Sequence, residues 1–144
     1  MLQELESPRQ AQPISLATIN IRNLRLRTYI GFNPEERIKK QDVVLNIQIR
    51  YRPNPSVLDD EIQGALNYKT ITKAVIRQVE EGRFLLLEKL VADVLATCSH
   101  HADVSHASVT IDKPHALRFA ESVSLTLEYD KTTDIALRTL EKAS

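Results

Sequence analysis

Asp42-Val43-Val44-Leu45-Asn46-Ile47-Gln48-Ile49-Arg50-Tyr51 alternates apolar and polar side chains along its whole length. Val43, Leu45, Ile47, Ile49 and Tyr51 fall on one face, and Val44, Asn46, Gln48 and Arg50 on the other, which is the period of a strand that lays one face on a core. Upstream, Ile19 and Ile21 share one parity, whereas Leu24, Leu26 and Thr28 take the other. A strand keeps its apolar side inward across such a switch by inserting one residue, so a bulge is expected near Asn23. Gly31-Phe32-Asn33-Pro34-Glu35-Glu36 is turn chemistry, and the two strands should form an antiparallel hairpin with a long loop.

Beyond the Pro53-Asn54-Pro55 break the period changes. Asn67 is placed to cap a helix whose stripe is Ile71, Val75, Ile76 and Val79 and whose stop is Gly82. A second helix carries Leu87, Leu90, Val91, Val94, Leu95 and Cys98 at helical spacing, with His100 and His101 expected in its last turn. Two more strands follow, Ala107 to Lys113 and Ser122 to Tyr129. The order is strand, strand, helix, helix, strand, strand. It implies an α+β domain, a four-stranded antiparallel sheet with both helices on one face and the other face solvated or covered by another subunit. That domain is expected over 17–130, after a disordered polar leader at 1–16 and before a tail at 131–144. The tail could form a short helix, capped by Thr133 or Asp134, with Ile135, Leu137 and Leu140 on one side.

The chain has 144 residues, enough for one core, and its 19 basic and 19 acidic side chains cancel. No global field draws it to nucleic acid or an anionic membrane. It has no signal-peptide pattern and no apolar run long enough to span a bilayer. With a single cysteine, Cys98, it reads as a cytoplasmic protein.

Several side chains stand out for their chemistry. In Val109-Thr110-Ile111-Asp112-Lys113-Pro114 a lysine occupies the last rung of a half-buried strand, with its direction restricted by the proline that follows. It reads either as an amine aimed into a cleft or as a strand-end lysine reaching water. Glu88 opens an otherwise apolar helix, where free backbone N–H groups favour an anion; it is either a ligand for something or an ordinary first-turn charge. Tyr68 follows the Asn67 cap, and Glu36 lies in the hairpin loop; taken alone, these are a packed ring and a solvated charge. Arg22, Arg25 and Arg27 on the first strand, with Arg118 after Lys113, suit either a polyphosphate or edge protection. There is no Gly-rich phosphate loop, and no spacing among His100, His101, His106 and His115 is diagnostic of zinc.

Taken together, Gly31 with Glu36, Ala65-Leu66-Asn67-Tyr68, Arg83-Phe84 with Leu86-Leu87-Glu88-Lys89-Leu90, and Ile111-Asp112-Lys113-Pro114-His115-Ala116-Leu117-Arg118 resemble the dihydroneopterin aldolase family over about Thr18 to Tyr129. The resemblance implies the tunnelling fold, whose subunits join sheets into rings that stack as a homo-octamer with pterin sites between subunits. It assigns Lys113, Tyr68 and Glu36 to catalysis, Tyr68 reaching the neighbouring subunit's site, and assigns Glu88, beside Leu87, to anchoring the pterin. Within the family, His115-Ala116-Leu117-Arg118 and Asn23-Leu24-Arg25-Leu26-Arg27 are similar to the branch that epimerises a triphosphate, which adds His115, Arg27 and Arg118 as substrate contacts. The implied reaction inverts C2′ by retro-aldol and aldol steps, with the dihydropterin ring as electron sink and neither metal nor cofactor. The partners expected are the pterin and further copies of the chain, not nucleic acid or membrane. An aldolase feeding folate synthesis and a non-catalytic pterin-binding ring are the alternatives.

Overall fold

The structure, a computed structural model, describes residues 15–134. Strand β1 (Ala17–Ile30) is followed by a short helix α1 (Pro34–Ile38) and strand β2 (Gln41–Tyr51). After two 3-10 turns come helix α2 (Tyr68–Glu80), strand β3 (Arg83–Phe84), helix α3 (Leu87–Ser99), and strands β4 (Val104–Pro114) and β5 (Ser122–Asp130). The strands lie in the order β3-β1-β2-β4-β5.

The parity switch in β1 is resolved by a bulge. Ile21 pairs with Ile47 and Leu24 with Leu45, so β1 spends three steps where β2 spends two. Asn23 takes the extra step at a left-handed φ of 53°, which asparagine tolerates better than most residues, and its N–H donates to Asn46 Oδ1 at 3.0 Å. Ile19, Ile21, Leu24, Leu26, Thr28 and Ile30 therefore all face the helices.

The core lies between that face and α2 and α3. Val43, Leu45, Ile47 and Ile49 of β2 and Ala107, Val109 and Ile111 of β4 meet Val75 and Val79 of α2 and Leu90, Val91, Val94 and Cys98 of α3. Each such aliphatic side chain taken from water contributes about 1.5–3 kcal/mol. On the other face, cross-strand hydrogen bonds join Gln48 to Asn20 and Thr110 to Thr126. No helix among the described residues is long and apolar enough to cross a membrane.

The α+β layout and the antiparallel order of the four long strands agree with the sequence reading. The sheet adds a fifth strand: Arg83–Phe84 pairs in parallel with Tyr29–Ile30 of β1. Two residues are too few to show a period. The hairpin loop contains α1, capped by Asn33, whose Oδ1 accepts the Glu36 N–H at 2.9 Å. Helix α3 ends at Ser99, so His100 is its C-cap and His101 lies beyond it rather than in the last turn. The helical turn at 131–134 is capped by Asp130, which accepts the N–H groups of Thr132 and Thr133, instead of by Thr133 or Asp134. Ile135, Leu137 and Leu140 lie outside the described residues, as does the leader up to residue 14.

Candidate active site

Lys113 has the parity of Val109 and Ile111, so it follows the buried rungs of β4 on the helix-facing side. Its Nζ donates to Glu36 Oε2, and the two side chains are 14% and 20% exposed. Asn33 at the cap and Pro34 at the first position of α1 put Glu36 at the third helical position, the acidic place in a capping box. The carboxylate turns back over Gly31. Gln41 steadies it: Nε2 donates to Ile30 O at 2.6 Å and to Glu36 Oε2 at 3.2 Å. Partial burial pushes the Glu36 carboxyl upward, but hydrogen bonds from Lys113 and Gln41, the Lys113 charge and the Asn33 backbone outweigh it and hold the group below its ordinary value. Among the described residues this is the most enclosed ion pair.

The same end of the sheet carries the start of α3. Gly31 N–H donates to Phe84 O at 2.9 Å, which ties the hairpin loop to β3, and the chain enters α3 three residues later. Leu86 caps α3 without a side-chain hydrogen bond, leaving first-turn N–H groups for other acceptors. Leu87 packs on the core, and Glu88 is exposed, its carboxylate unpaired among the described residues. An acceptor-only carboxylate beside free N–H donors suits a flat heterocycle that offers both donors and acceptors along one edge.

Tyr68 lies elsewhere. Half exposed at the start of α2, it lines a hollow of about 620 Å³ with Ile19, Ile21, Tyr51 and Leu66. Ile19 and Ile21 of this hollow lie near the start of β1, whereas the Glu36–Lys113 pair lies beside its end at Ile30 and Gly31. One chain brings Glu36, Lys113, Leu87 and Glu88 to one end of the sheet and leaves Tyr68 at the other.

The remaining candidates are dispersed. His115, at φ 61°, lines a hollow on the opposite sheet face with Arg25, Asp112 and Ser122. Arg27 donates to Asp42 Oδ1 and Lys40 O, each at 3.1 Å. Arg118 sits in the β4–β5 loop, its guanidinium 5.2 Å from the Phe119 ring centre. Sequence reasoning overlooked Gln41. The signal was present, since Gln41 shares the parity of Val43 and Leu45, and a polar residue in register with a core face requires a partner inside. Among the described residues no group of three or more His, Cys, Asp or Glu side chains is placed to hold a metal ion.

An enclosed carboxylate–amine pair at the end of the sheet where a helix presents a glutamate unpaired among the described residues has the chemistry of a small-molecule site. The family profile described as FolB, dihydroneopterin aldolase, matches residues 19–128, and the chain belongs to that family. It is 52% identical over 112 residues to the dihydroneopterin triphosphate 2′-epimerase of Pseudomonas aeruginosa, covering 78% of this chain and 91% of that one. It is 49% identical over 121 residues to the enzyme of the same name from Escherichia coli K12, covering 84% and 99%. Among solved structures, Escherichia coli dihydroneopterin aldolase in complex with neopterin superimposes with a TM-score of 0.73 at 24% identity, over 78% of this chain and 98% of that one, which shows the shared fold.

Proposed function

We propose that the protein epimerises dihydroneopterin triphosphate at C2′, giving dihydromonapterin triphosphate in the cytoplasm. The observation that carries this reading is the Glu36–Lys113 pair, a proton-transfer couple enclosed at the end of the sheet where Glu88 stands unpaired. Glu88 would accept two hydrogen bonds from the 2-amino group and the adjacent ring N–H of the pterin. The 2′-hydroxyl then gives up its proton to a base, with Lys113, Tyr68 and a water as the carriers. The C1′–C2′ bond breaks, its electron pair enters the ring, and an enamine and an aldehyde remain. Rotation of the aldehyde and renewed attack by C1′ on its other face, with a proton returned to the oxygen, invert C2′. Protonation of C1′ and escape of the aldehyde would instead be aldol cleavage, the alternative that the family's description also supports.

That Tyr68 lies towards one end of the sheet and the Glu36–Lys113 pair at the other supports a site completed by another copy. Both outer edges invite one: β3 covers only Tyr29 and Ile30 of the fourteen residues of β1, and the inward residues of β5, Leu125 and Leu127, are only half buried. Rings joined edge to edge and stacked into an octamer would place Tyr68 of one copy against Lys113 of the next. Arg118, with no carboxylate partner among the described residues, and His115 are the proposed contacts for the phosphate end. Arg27 would join them only by leaving Asp42.

The test is incubation with dihydroneopterin triphosphate, then dephosphorylation, oxidation and chromatography of the products. Monapterin as the main product establishes epimerisation, and 6-hydroxymethylpterin establishes aldol cleavage. Absence of both leaves a pterin-binding ring without turnover.

A further inference from the structure

Gly31 occupies a position that no other residue type fills without strain. Its φ of 125° lies in the region that L side chains rarely adopt. A Cβ built there would fall within the Glu36 carboxylate, overlapping Cδ and both oxygens. We propose that Gly31 is a positioning residue for the reaction: the space left by its missing side chain is the seat of the Glu36 carboxylate. This inference rests on the reading of Glu36 and Lys113 as catalytic.

The seat is closed on its remaining sides. Gln41 Nε2 holds Glu36 Oε2 while anchored to Ile30 O, the carbonyl next to Gly31, and Lys113 Nζ takes the same oxygen. The N–H of Gly31 is bound to Phe84 O at 2.9 Å, four residues before Glu88. A single residue thus sets the carboxylate against the amine and also fixes the strand that leads to the proposed pterin anchor. A side chain at position 31 would push the carboxylate outward by about the size of a methyl group, and a misplacement of about 1 Å at a reacting centre costs on the order of 100-fold in rate.

The experiment is a pair of cycles between positions 31 and 36. Gly31→Ala is expected to lower kcat on the order of 100-fold with a smaller change in KM. Glu36→Asp, which shortens the carboxylate by one methylene, is expected to recover about tenfold or more when added to Gly31→Ala, although it lowers activity by itself. The second cycle needs no turnover: the loss of melting temperature caused by Gly31→Ala should be smaller in a Glu36→Ala background, where nothing fills the seat. If Gly31→Ala alone does not fold, folding of Gly31→Ala/Glu36→Ala supports the proposal. Equal losses in both backgrounds, or failure of both to fold, would mean that the glycine answers only to backbone strain and would overturn it. Should the unaltered protein turn over no pterin, the reaction proposed above fails, while the melting cycle still decides the seat.

Discussion

Replacing Lys113 with methionine keeps most of the side-chain volume and removes the charge that faces Glu36. The two side chains are 14% and 20% exposed, so the pair lies between a surface ion pair, worth about 0.2–1 kcal/mol, and a fully buried one, whose breakage costs about 3–5 kcal/mol. The expected loss at pH 7 is about 2 kcal/mol. Its pH dependence has a definite sign. In the unaltered protein the Glu36 carboxyl is held below its ordinary value, chiefly by Lys113 and Gln41 acting against burial. Its stabilising contribution is therefore complete above the unfolded glutamate pKa and is lost as pH falls through the lowered folded value. In Lys113→Met, burial acts on Glu36 with less to oppose it, and protonation relieves the cost. Urea denaturation followed by circular dichroism at pH 7 and near pH 3 should give midpoints well separated at neutral pH and converging in acid. A gap of equal size at both values would refute an ionic origin and leave only altered packing. Full stability of Lys113→Met at pH 7 would refute the pairing itself.

Three further outcomes follow from the same geometry. Glu88→Gln should weaken neopterin binding about 10- to 100-fold by fluorescence titration with only a small change in melting temperature, because among the described residues the carboxylate has no side-chain partner and loses only its place at the helix N-terminus. Tyr68→Phe and Lys113→Met, each nearly inactive alone, should regain about one quarter of full activity when dissociated and reassembled together, since random mixing leaves both residues intact at that share of sites; no recovery would argue against sites shared between copies. Burial pushes the Cys98 thiol up to about 12, so a thiol reagent at pH 8 should modify it only after denaturation, as mass spectrometry of the intact protein would show.

The sequence by itself determined whatever rests on local periodicity and local hydrogen bonding. The alternation of β2, the inserted residue that the parity switch at Asn23 demands, the Asn67 cap whose Oδ1 accepts the Thr70 N–H at 3.1 Å, and the apolar stripes of α2 and α3 are set by residues a few positions apart. Motif order, and no single residue's own pattern, singled out Glu36, Tyr68, Glu88 and Lys113, of which the structure brings Glu36 and Lys113 into contact. Tertiary structure decided what depends on contacts between distant parts of the chain. Glu36 and Lys113 are 77 residues apart and meet only because β4 ends beside the hairpin loop. The two residues of β3 carry no periodic signal and are held by β1, while Gln41 became part of the site when its core-facing parity left it needing an acceptor inside. That Tyr68 stands with Ile19 and Ile21 near one end of β1, while Lys113 meets Glu36 beside its other end, depends on how α2 packs on the sheet and is invisible in the motif order.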